Sequence, residues 1–335
     1  MSYKAIPFEL HSVTSIISNI KSSIDTSYES WLSHHEYSGE LVLYHYTTLE
    51  GFKGIINNRS IRCSEIHTMN DPSELKYGKE LFESCITDLI KENEKHYIIE
   101  ILEQLKSYIE YLQLPHFRRH FIACFCKKDN LLSQWRGYAL KGGGYNIGIS
   151  FDSSTCICPE IDNIDDVKPL HLRKIIYNQE DQKKIIETYI RDLIKSIIIA
   201  VESDGFILDA SINSKIALYA SNLLFDMMLS MKNYAFHEEE EWRLIRLLRS
   251  DESHKLYKFN EINNELIPYL DTYIYKKNEN ELVFPLNSIR FGPTLDKIKT
   301  KIAIDLFYDK SKTLNHKINL KKEISSKDSG FILTK

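Results

Sequence analysis

The chain has 335 residues, of which 43% are hydrophobic and 27% charged, a composition typical of a globular protein that buries a core. Its 12 glycines and 8 prolines are too few for long flexible linkers. The length fits one large domain with a helical insertion as well as it fits two domains.

The sequence contains no predicted membrane span. A span needs roughly 18 or more apolar residues in a row, and the most apolar segment, residues 193–201, is shorter and contains Lys195. Residues 1–12 lack the positive start and apolar run of a secretory signal. We therefore expect a soluble cytoplasmic protein without a membrane partner.

Hydrophobic spacing predicts the elements of the first half. Isoleucines at helical spacing after Val13 mark an N-terminal helical segment over residues 1–40. A buried strand is predicted over 41–46, and Thr47 or Thr48 can cap the helix that follows it. The later elements are a short strand from Ile61, helices filling 74–113, and strands at 121–126 and 145–151 around a helix or loop at 134–138.

The second half alternates between helical and strand patterns. A long helical stretch is expected over 155–232, and its strongest part, an insertion at about 178–232, contains helices at 180–202 and 212–232. Strands follow at 240–248 and 287–291, then a basic C-terminal helix at 295–308 and a strand near 316–324. The fold class predicted is α+β, with a core over 41–294 and residues 295–335 belonging to the same domain.

Cysteines and charges give weaker predictions. The two Cys-x-Cys pairs, Cys124/Cys126 and Cys156/Cys158, fit buried strand positions better than the Cys-x-x-Cys turns usual for zinc, so we expect no metal. Residues 296–335 contain ten lysines against five acidic residues, a net charge of +5. These lysines are either a solvated surface or a contact to nucleic acid phosphates.

Two segments contain polar residues where an apolar one would be ordinary. His45 lies between two tyrosines in an apolar strand, and the acidic run 238–241 leads directly into another apolar strand. The glycines after Lys141 precede a strand rather than a helix, which indicates a turn and not a phosphate loop. Neither a hydrolase triad nor a metal-hydrolase spacing is present.

Several motifs recur, in this order, in a known family. They are Tyr44-His45-Tyr46-Thr47, Asn70-Asp71-Pro72-x-Glu74, Cys124-Phe125, Trp135-x-x-Tyr138, Gly144, Phe151, Phe236-x-x-Glu239-x-Glu241-Trp242-Arg243 and Gly292-Pro293. Together they resemble bacterial domain-of-unknown-function family 2971 (DUF2971) over residues 41–294. One departure is Cys126, where that family often has serine.

The motif order is also similar to that of the ADP-ribosyltransferase superfamily, which implies a mixed or antiparallel β core of that type. The resemblance implies catalytic roles for His45, Tyr138 and Glu241, with Trp135 as the alternative aromatic and Glu239 as the alternative carboxylate. It implies that NAD, as the substrate, is bound by Tyr46, Thr47, Asn70, Asp71, Trp135, Glu239 and Arg243. Arg243 would contact the pyrophosphate or form a structural salt bridge with Glu239.

The function implied is cleavage of the nicotinamide–ribose bond of NAD. A carboxylate beside the ribose would stabilise its oxocarbenium-like transition state, His45 would bind a ribose hydroxyl, and an aromatic ring would stack on nicotinamide. ADP-ribose would pass to a nucleic acid or protein, as in a toxin or anti-phage effector with an antitoxin or other defence partner. An NAD glycohydrolase and a non-catalytic nucleotide or nucleic-acid sensor remain the alternatives.

One structural expectation joins these residues. His45, Tyr138 and Glu241 are roughly 100 residues apart, and each needs a reason to stand in an aromatic or apolar segment, because a buried unpaired polar group costs about 1–3 kcal/mol. We expect all three to line one cleft. Glu241→Gln is expected to fold and to lose activity.

Overall fold

The structure, a computed structural model, describes residues 8–69, 73–112, 118–158, 170–202, 207–249, 256–262, 264–278 and 281–314. The helices of these residues are α1 (Phe8–His35), α2 (Leu49–Asn58), α3 (Ser73–Glu92), α4 (His96–Leu112), α5 (Leu132–Tyr138), α6 (Gln179–Glu202), α7 (Ala210–Met228) and α8 (Lys297–Leu314). None of the described helices has the length and apolarity that crossing a membrane requires.

The strands are β1 (Leu41–Thr47), β2 (Ser60–Glu65), β3 (Arg118–Cys126), β4 (Tyr145–Phe151), β5 (Thr155–Cys158), β6 (Leu172–Lys174), β7 (Glu241–Arg249), β8 (Lys258–Ile262), β9 (Glu265–Asn278), β10 (Glu281–Val283) and β11 (Leu286–Phe291). The fold class is therefore α+β, as predicted.

The chain divides into two compact units, and each is assembled from three stretches of sequence. The helical unit comprises Met1–His35, Asn70–Arg118 and Ile176–Phe236. The sheet unit comprises Glu36–Met69, Arg119–Ile175 and His237–Lys335.

Most predicted elements are present. Thr48 caps α2 by accepting a hydrogen bond from the Gly51 amide at 3.2 Å. The predicted helical stretch over 155–232 is wrong in its first part, because β5 and β6 are strands that pair with β9 and β7. Helix α8 continues to Leu314 instead of ending at 308. The strand predicted near 316–324 lies outside the described residues.

The helical unit packs α1 and α6 against each other and α4 against α7. The buried Gln182 amide donates to two backbone carbonyls, Ile176 at 2.6 Å and Lys232 at 2.9 Å, and it accepts from the Tyr77 hydroxyl at 2.6 Å. Lys232 is also buried, 2.8 Å from a Glu74 oxygen. These bonds satisfy polar groups that the helices would otherwise bury unpaired.

The sheet unit is built on the strand order β10-β9-β2-β3-β1-β4-β11. Every pairing with a described register is antiparallel. Its core contains isoleucine and phenylalanine side chains of the central strands together with Phe52 of α2. This core fixes the strands whose ends surround the candidate site.

The pairing of β1 differs on its two sides. On one side β1 pairs with β4 from Leu41↔Phe151 to Thr47↔Tyr145. On the other side, the described register with β3 is the single pair Tyr44↔Cys126. Past Tyr44 the two strands separate, and His45 is the first residue after that point.

Candidate functional site

A small cleft of about 60 Å³ lies in the sheet unit, where β1 and β3 separate. By the volume that one water needs, it has room for a few waters or one small polar group. It is lined by residues of β1, β3, α5 and the start of β7, namely His45, Tyr46, Cys124, Phe125, Gln134, Tyr138, Glu239 and Glu241. His45, Tyr138 and Glu241 line this one cleft, as expected from the sequence.

His45 bridges the separating strands through its side chain. Its Nδ1 lies 2.9 Å from the carbonyl oxygen of Cys124, and a carbonyl accepts only, so Nδ1 holds the hydrogen. Burial lowers the pKa of His45, although this backbone hydrogen bond partly opposes the shift. The neutral ring therefore has its lone pair on Nε2, which can accept a hydrogen bond.

A left-handed backbone at Glu240 turns two carboxylates of the acidic run toward the cleft. Glu240 has a φ of 42°, and its carbonyl accepts from the Lys127 amide at 3.3 Å. Its own carboxylate lies 2.9 Å from the Lys128 ammonium, and both of these side chains are more than 40% exposed. Glu239 and Glu241, on either side of this turn, both line the cleft.

Glu241 is held in place by a buried ion pair. Arg243 donates from Nε to one carboxylate oxygen at 2.7 Å and from Nη2 to the other at 3.3 Å. Glu241 is 4% exposed and Arg243 is 2% exposed. The predicted salt bridge of Arg243 thus forms with Glu241, because residues two apart on a strand point to the same face.

Tyr46 and Trp135 fix the helix that borders the cleft. The Tyr46 hydroxyl donates to the Lys128 carbonyl at 2.8 Å and accepts from the Leu131 amide at 2.9 Å, just before α5. The Trp135 ring meets the Tyr46 ring edge-on at 4.9 Å, and its Nε1 donates to Asn130. Trp135 is 2% exposed, so the aromatic ring that α5 offers to a ligand is Tyr138, which is 45% exposed.

A tight turn connects α5 to β4. Leu140 and Lys141 both adopt positive φ, 48° and 54°. A Cβ on Gly144 would lie 2.4 Å from the Thr47 carbonyl oxygen, and the Gly292 amide donates to the Gly144 carbonyl at 2.8 Å. The glycines after Lys141 therefore form a turn that positions α5, in agreement with the prediction from sequence.

Three of the described residues that were predicted to bind NAD do not line the cleft. Thr47 pairs with Tyr145 at the end of β1, Arg243 contacts Glu241, and Trp135 packs on Tyr46. Asn70 and Asp71 are outside the described residues.

Sequence reasoning missed Cys124, Phe125 and Gln134 as lining residues. A signal existed for Gln134, because residues four apart on a helix share a face, and Gln134 precedes Tyr138 by four.

Two of the four cysteines predicted as buried strand residues are buried, whereas Cys124 is only partly buried and lines the cleft. Cys126 is 2% exposed on β3, and its sulfur accepts from the Lys128 amide at 3.2 Å. Cys156 is 9% exposed on β5. Among the residues that the structure describes, no three His, Cys, Asp or Glu side chains are grouped as metal ligands would be.

A larger cavity lies elsewhere, in the helical unit. It is a groove of about 720 Å³ between α1 and α6, bordered by hydroxyl side chains and by Trp31. No residue predicted for the site from sequence lines it.

Residues 134–244 match the model of a protein family of unknown function, DUF2971. The matched segment includes four residues of the cleft: Gln134, Tyr138, Glu239 and Glu241. Comparisons with curated proteins and with solved structures found no match. The resemblance to DUF2971 is thus confirmed for this segment, and the similarity to ADP-ribosyltransferases stays a prediction.

Proposed function

We propose that NAD binds over this cleft with its nicotinamide–ribose bond beside the two carboxylates, and that the chain is an ADP-ribosyltransferase. The observation that supports this most is the meeting of His45, Tyr138 and two carboxylates in one cleft, from three distant parts of the sequence. A histidine, an exposed aromatic ring and a carboxylate pair are the groups that this reaction needs around its sugar.

Glu241 is proposed as the carboxylate that faces the ribose. Cleavage of the nicotinamide–ribose bond develops positive charge on the sugar, and a fixed negative charge nearby stabilises that transition state. Arg243 holds the Glu241 carboxylate in one orientation through hydrogen bonds to both of its oxygens. A carboxylate that does not have to reorient during the reaction is the more effective one.

Glu239 is proposed to meet the acceptor. Its side chain is only partly buried, so an incoming hydroxyl, amine or base can reach it more easily than the 4% exposed Glu241. From that position Glu239 would take up the proton that the acceptor loses when its oxygen or nitrogen bonds to the ribose.

His45 is proposed to position the ribose. Its Nε2 lone pair accepts a hydrogen bond from a ribose hydroxyl, while the Nδ1 bond to Cys124 keeps the ring in one orientation. The cleft of about 60 Å³ takes one small group of the ligand, whereas drug-sized ligands occupy about 300–1,000 Å³. Most of the dinucleotide would lie outside, across the exposed Tyr138 ring.

The acceptor and the biological role are proposed from the resemblance to ADP-ribosyltransferases alone. They are a nucleic acid or protein acceptor and a cytoplasmic toxin or anti-phage effector with an antitoxin or other defence partner. The lysines of α8 and beyond would support a nucleic acid acceptor, and such binding would weaken as salt rises, because it releases counterions.

A non-catalytic sensor is the second candidate, and the Glu241–Arg243 pair favours it. Part of the Glu241 charge is compensated by the guanidinium 2.7 Å away, which reduces the stabilisation available to a cationic sugar. A sensor would bind NAD or a nucleotide in the cleft and leave it intact.

The test is incubation of the protein with NAD labelled in the adenine half, alone and with cell lysate, followed by measurement of free nicotinamide. Nuclease or protease digestion of the lysate then shows which fraction holds the label. Label in either fraction supports the transferase, free ADP-ribose alone identifies a glycohydrolase, and intact NAD that is nevertheless bound identifies a sensor.

Glu239→Gln and Glu240→Gln form a matched pair for this assay, since the two residues are adjacent and only Glu239 lines the cleft. We expect Glu239→Gln to lower transfer by about 10²-fold, a typical loss for a general base. Glu240→Gln should transfer at the parental rate. Equal activity of the two variants would contradict the proposed role of Glu239.

A further inference from the structure

Gln134 presents a buried amide to the cleft without an internal partner. Its side chain lines the cleft, and the residue is 8% exposed. Within the described part of the chain, its amide makes no hydrogen bond. By contrast, the buried amide of Gln182 makes three.

Neither amide atom of Gln134 is among the fully buried, unpaired polar atoms of the described residues, so the amide stays open to the cleft. There it can bond a ligand, whereas a leucine or methionine at the same position on α5 would offer no polar group. Polar groups that converge on a cleft and lack internal partners are the groups that orient a ligand. The positions of Gln134 and Tyr138 on α5 indicate which chemical group of the ligand the amide meets.

We infer that Gln134 binds the carboxamide of nicotinamide, an assignment that rests on the proposed function. Gln134 and Tyr138 are four residues apart on α5 and so share one face. A flat ring stacked on the exposed Tyr138 side chain would direct a substituent toward Gln134. A carboxamide there gains two bonds, because its NH₂ donates to the Gln134 oxygen and its oxygen accepts from the Gln134 NH₂.

We expect the site to distinguish NAD from its nicotinic acid analogue. Nicotinic acid adenine dinucleotide differs from NAD in having a carboxylate in place of the carboxamide. A carboxylate only accepts, so it would leave the Gln134 oxygen without a donor and would place a negative charge near Glu239 and Glu241. Sites built to bond a donor group reject analogues that lack it by large factors. We expect at least a tenfold preference for NAD.

The experiment compares the consumption of the two dinucleotides by the parent chain, by Gln134→Met and by Arg136→Gln. Methionine keeps the length of the side chain and removes both hydrogen-bonding groups. Arg136 lies on the same helix with its side chain exposed, so Arg136→Gln controls for changes in α5. The preference for NAD should fall several-fold in Gln134→Met, to the part that repulsion by Glu239 and Glu241 maintains, and should stay unchanged in Arg136→Gln.

Two further measurements separate the possible failures. The melting temperature of Gln134→Met should be equal to or above that of the parent, because no internal bond is lost. A clear decrease would show that the amide supports the fold, and would overturn the inference. So would NAD consumption with the same preference in parent and Gln134→Met, which would leave the proposed function standing. A parent chain that neither consumes NAD nor binds nicotinamide in a titration would overturn both.

Discussion

Glu240 and Glu241 are neighbours in one acidic run, yet the Glu240 side chain is exposed and Glu241 is buried. Glu240 forms an exposed ion pair with Lys128, and pairs of that kind contribute about 0–1 kcal/mol. Glu241 compensates a guanidinium that is 2% exposed. Removing one partner of a buried pair is costly because the other charge stays buried.

Glu241→Gln is therefore expected to destabilise the chain by about 3 kcal/mol, unlike the neutral outcome that the sequence alone suggests. Glu240→Gln, the control, should change stability by less than about 1 kcal/mol. Urea unfolding of both variants, followed by circular dichroism, measures the difference. If Glu241→Gln unfolds at the parental urea concentration, the other interactions of Arg243 compensate its charge, and the variant becomes a clean probe of catalysis.

The single residue His45 should also make the stability of the chain depend on pH. Burial lowers the pKa of His45 from its usual 6.5, so the unfolded chain binds this proton at a higher pH than the folded one. The contribution of neutral His45 to stability is thus complete above about pH 6.5 and decreases as the pH falls toward the lowered pKa. His45→Gln should remove this component of the pH dependence.

The direct measurement is an NMR titration of the His45 ring. Its midpoint should lie below 6.5, and the nitrogen shifts should show hydrogen on Nδ1. NAD cleavage should also persist to a lower pH than an ordinary histidine would allow, because the pKa of His45 is lowered. A midpoint above 6.5 would mean that the ring is charged in the cleft, which removes its role as an acceptor.

At the scale of elements, sequence patterns predicted long and regular segments better than short or irregular ones. The helices α6 and α7 and the strands β1, β3 and β4 show clear periodicity. By contrast, β5 has four residues and β6 has three, too few for a period to be seen. The 14-residue β9 was missed, since Pro268 and its charged residues argue against a strand.

The candidate site, like the fold, was predicted only in part from the sequence. The sequence predicted that His45, Tyr138 and Glu241 converge, and the resemblance to ADP-ribosyltransferases added Glu239 as a binding residue and alternative carboxylate. It did not predict that a turn at Glu240, whose φ of 42° is unusual for glutamate, interrupts the acidic run just before β7. Sequence reasoning therefore paired Arg243 with Glu239 instead of Glu241, which lies two residues before Arg243 on β7. Gln134 was missed because glutamine on a short helix is unremarkable until the cleft shows that its amide has no internal partner.

A substitution in the turn between α5 and β4 should affect the position of a whole element, helix α5. A Cβ at residue 144 would lie 2.4 Å from the Thr47 carbonyl and 2.8 Å from the Ala139 Cα. Both neighbours are backbone, so Gly144→Ala should cost about 3 kcal/mol or more. It should also displace α5 and lower NAD affinity.

The matched control is Gly137→Ala. A Cβ there meets nothing within 4 Å, and replacing glycine in a helix stabilises by up to about 1 kcal/mol. Thermal unfolding of the two variants should therefore shift in opposite directions. A Gly144→Ala variant as stable as the parent would show that this turn relaxes at little cost and does not fix α5.

At the scale of the whole chain, the two units are interleaved along the sequence. Helical periodicity identifies α1, α3, α4, α6 and α7 one at a time. It does not show that they form one unit, since each helix gives only a local pattern and the partners are more than a hundred residues apart. The strands are interleaved likewise, because β2 pairs with β9 and β4 pairs with β11.

Interleaving predicts that the chain cannot be divided between β6 and α6 into two folding fragments. Residues 1–175 contain α1, whose buried Ile20 and Ile24 pack in the helical unit with α6, a helix of the other fragment. The same cut separates β2 and β4 from the strands β9 and β11. Each fragment keeps part of both units and completes neither, so both would expose apolar surface and edge strands.

We expect residues 1–175 and 176–335, expressed separately, to aggregate or to unfold without a cooperative transition. Co-expression should return a soluble pair, because each unit then regains all its segments. Size-exclusion chromatography and thermal circular dichroism distinguish these outcomes. Cooperative unfolding of either fragment alone would mean that its partial unit is stable by itself. The long-range pairings of β9 and β11, or of α6 with α1, would then not be needed for the fold.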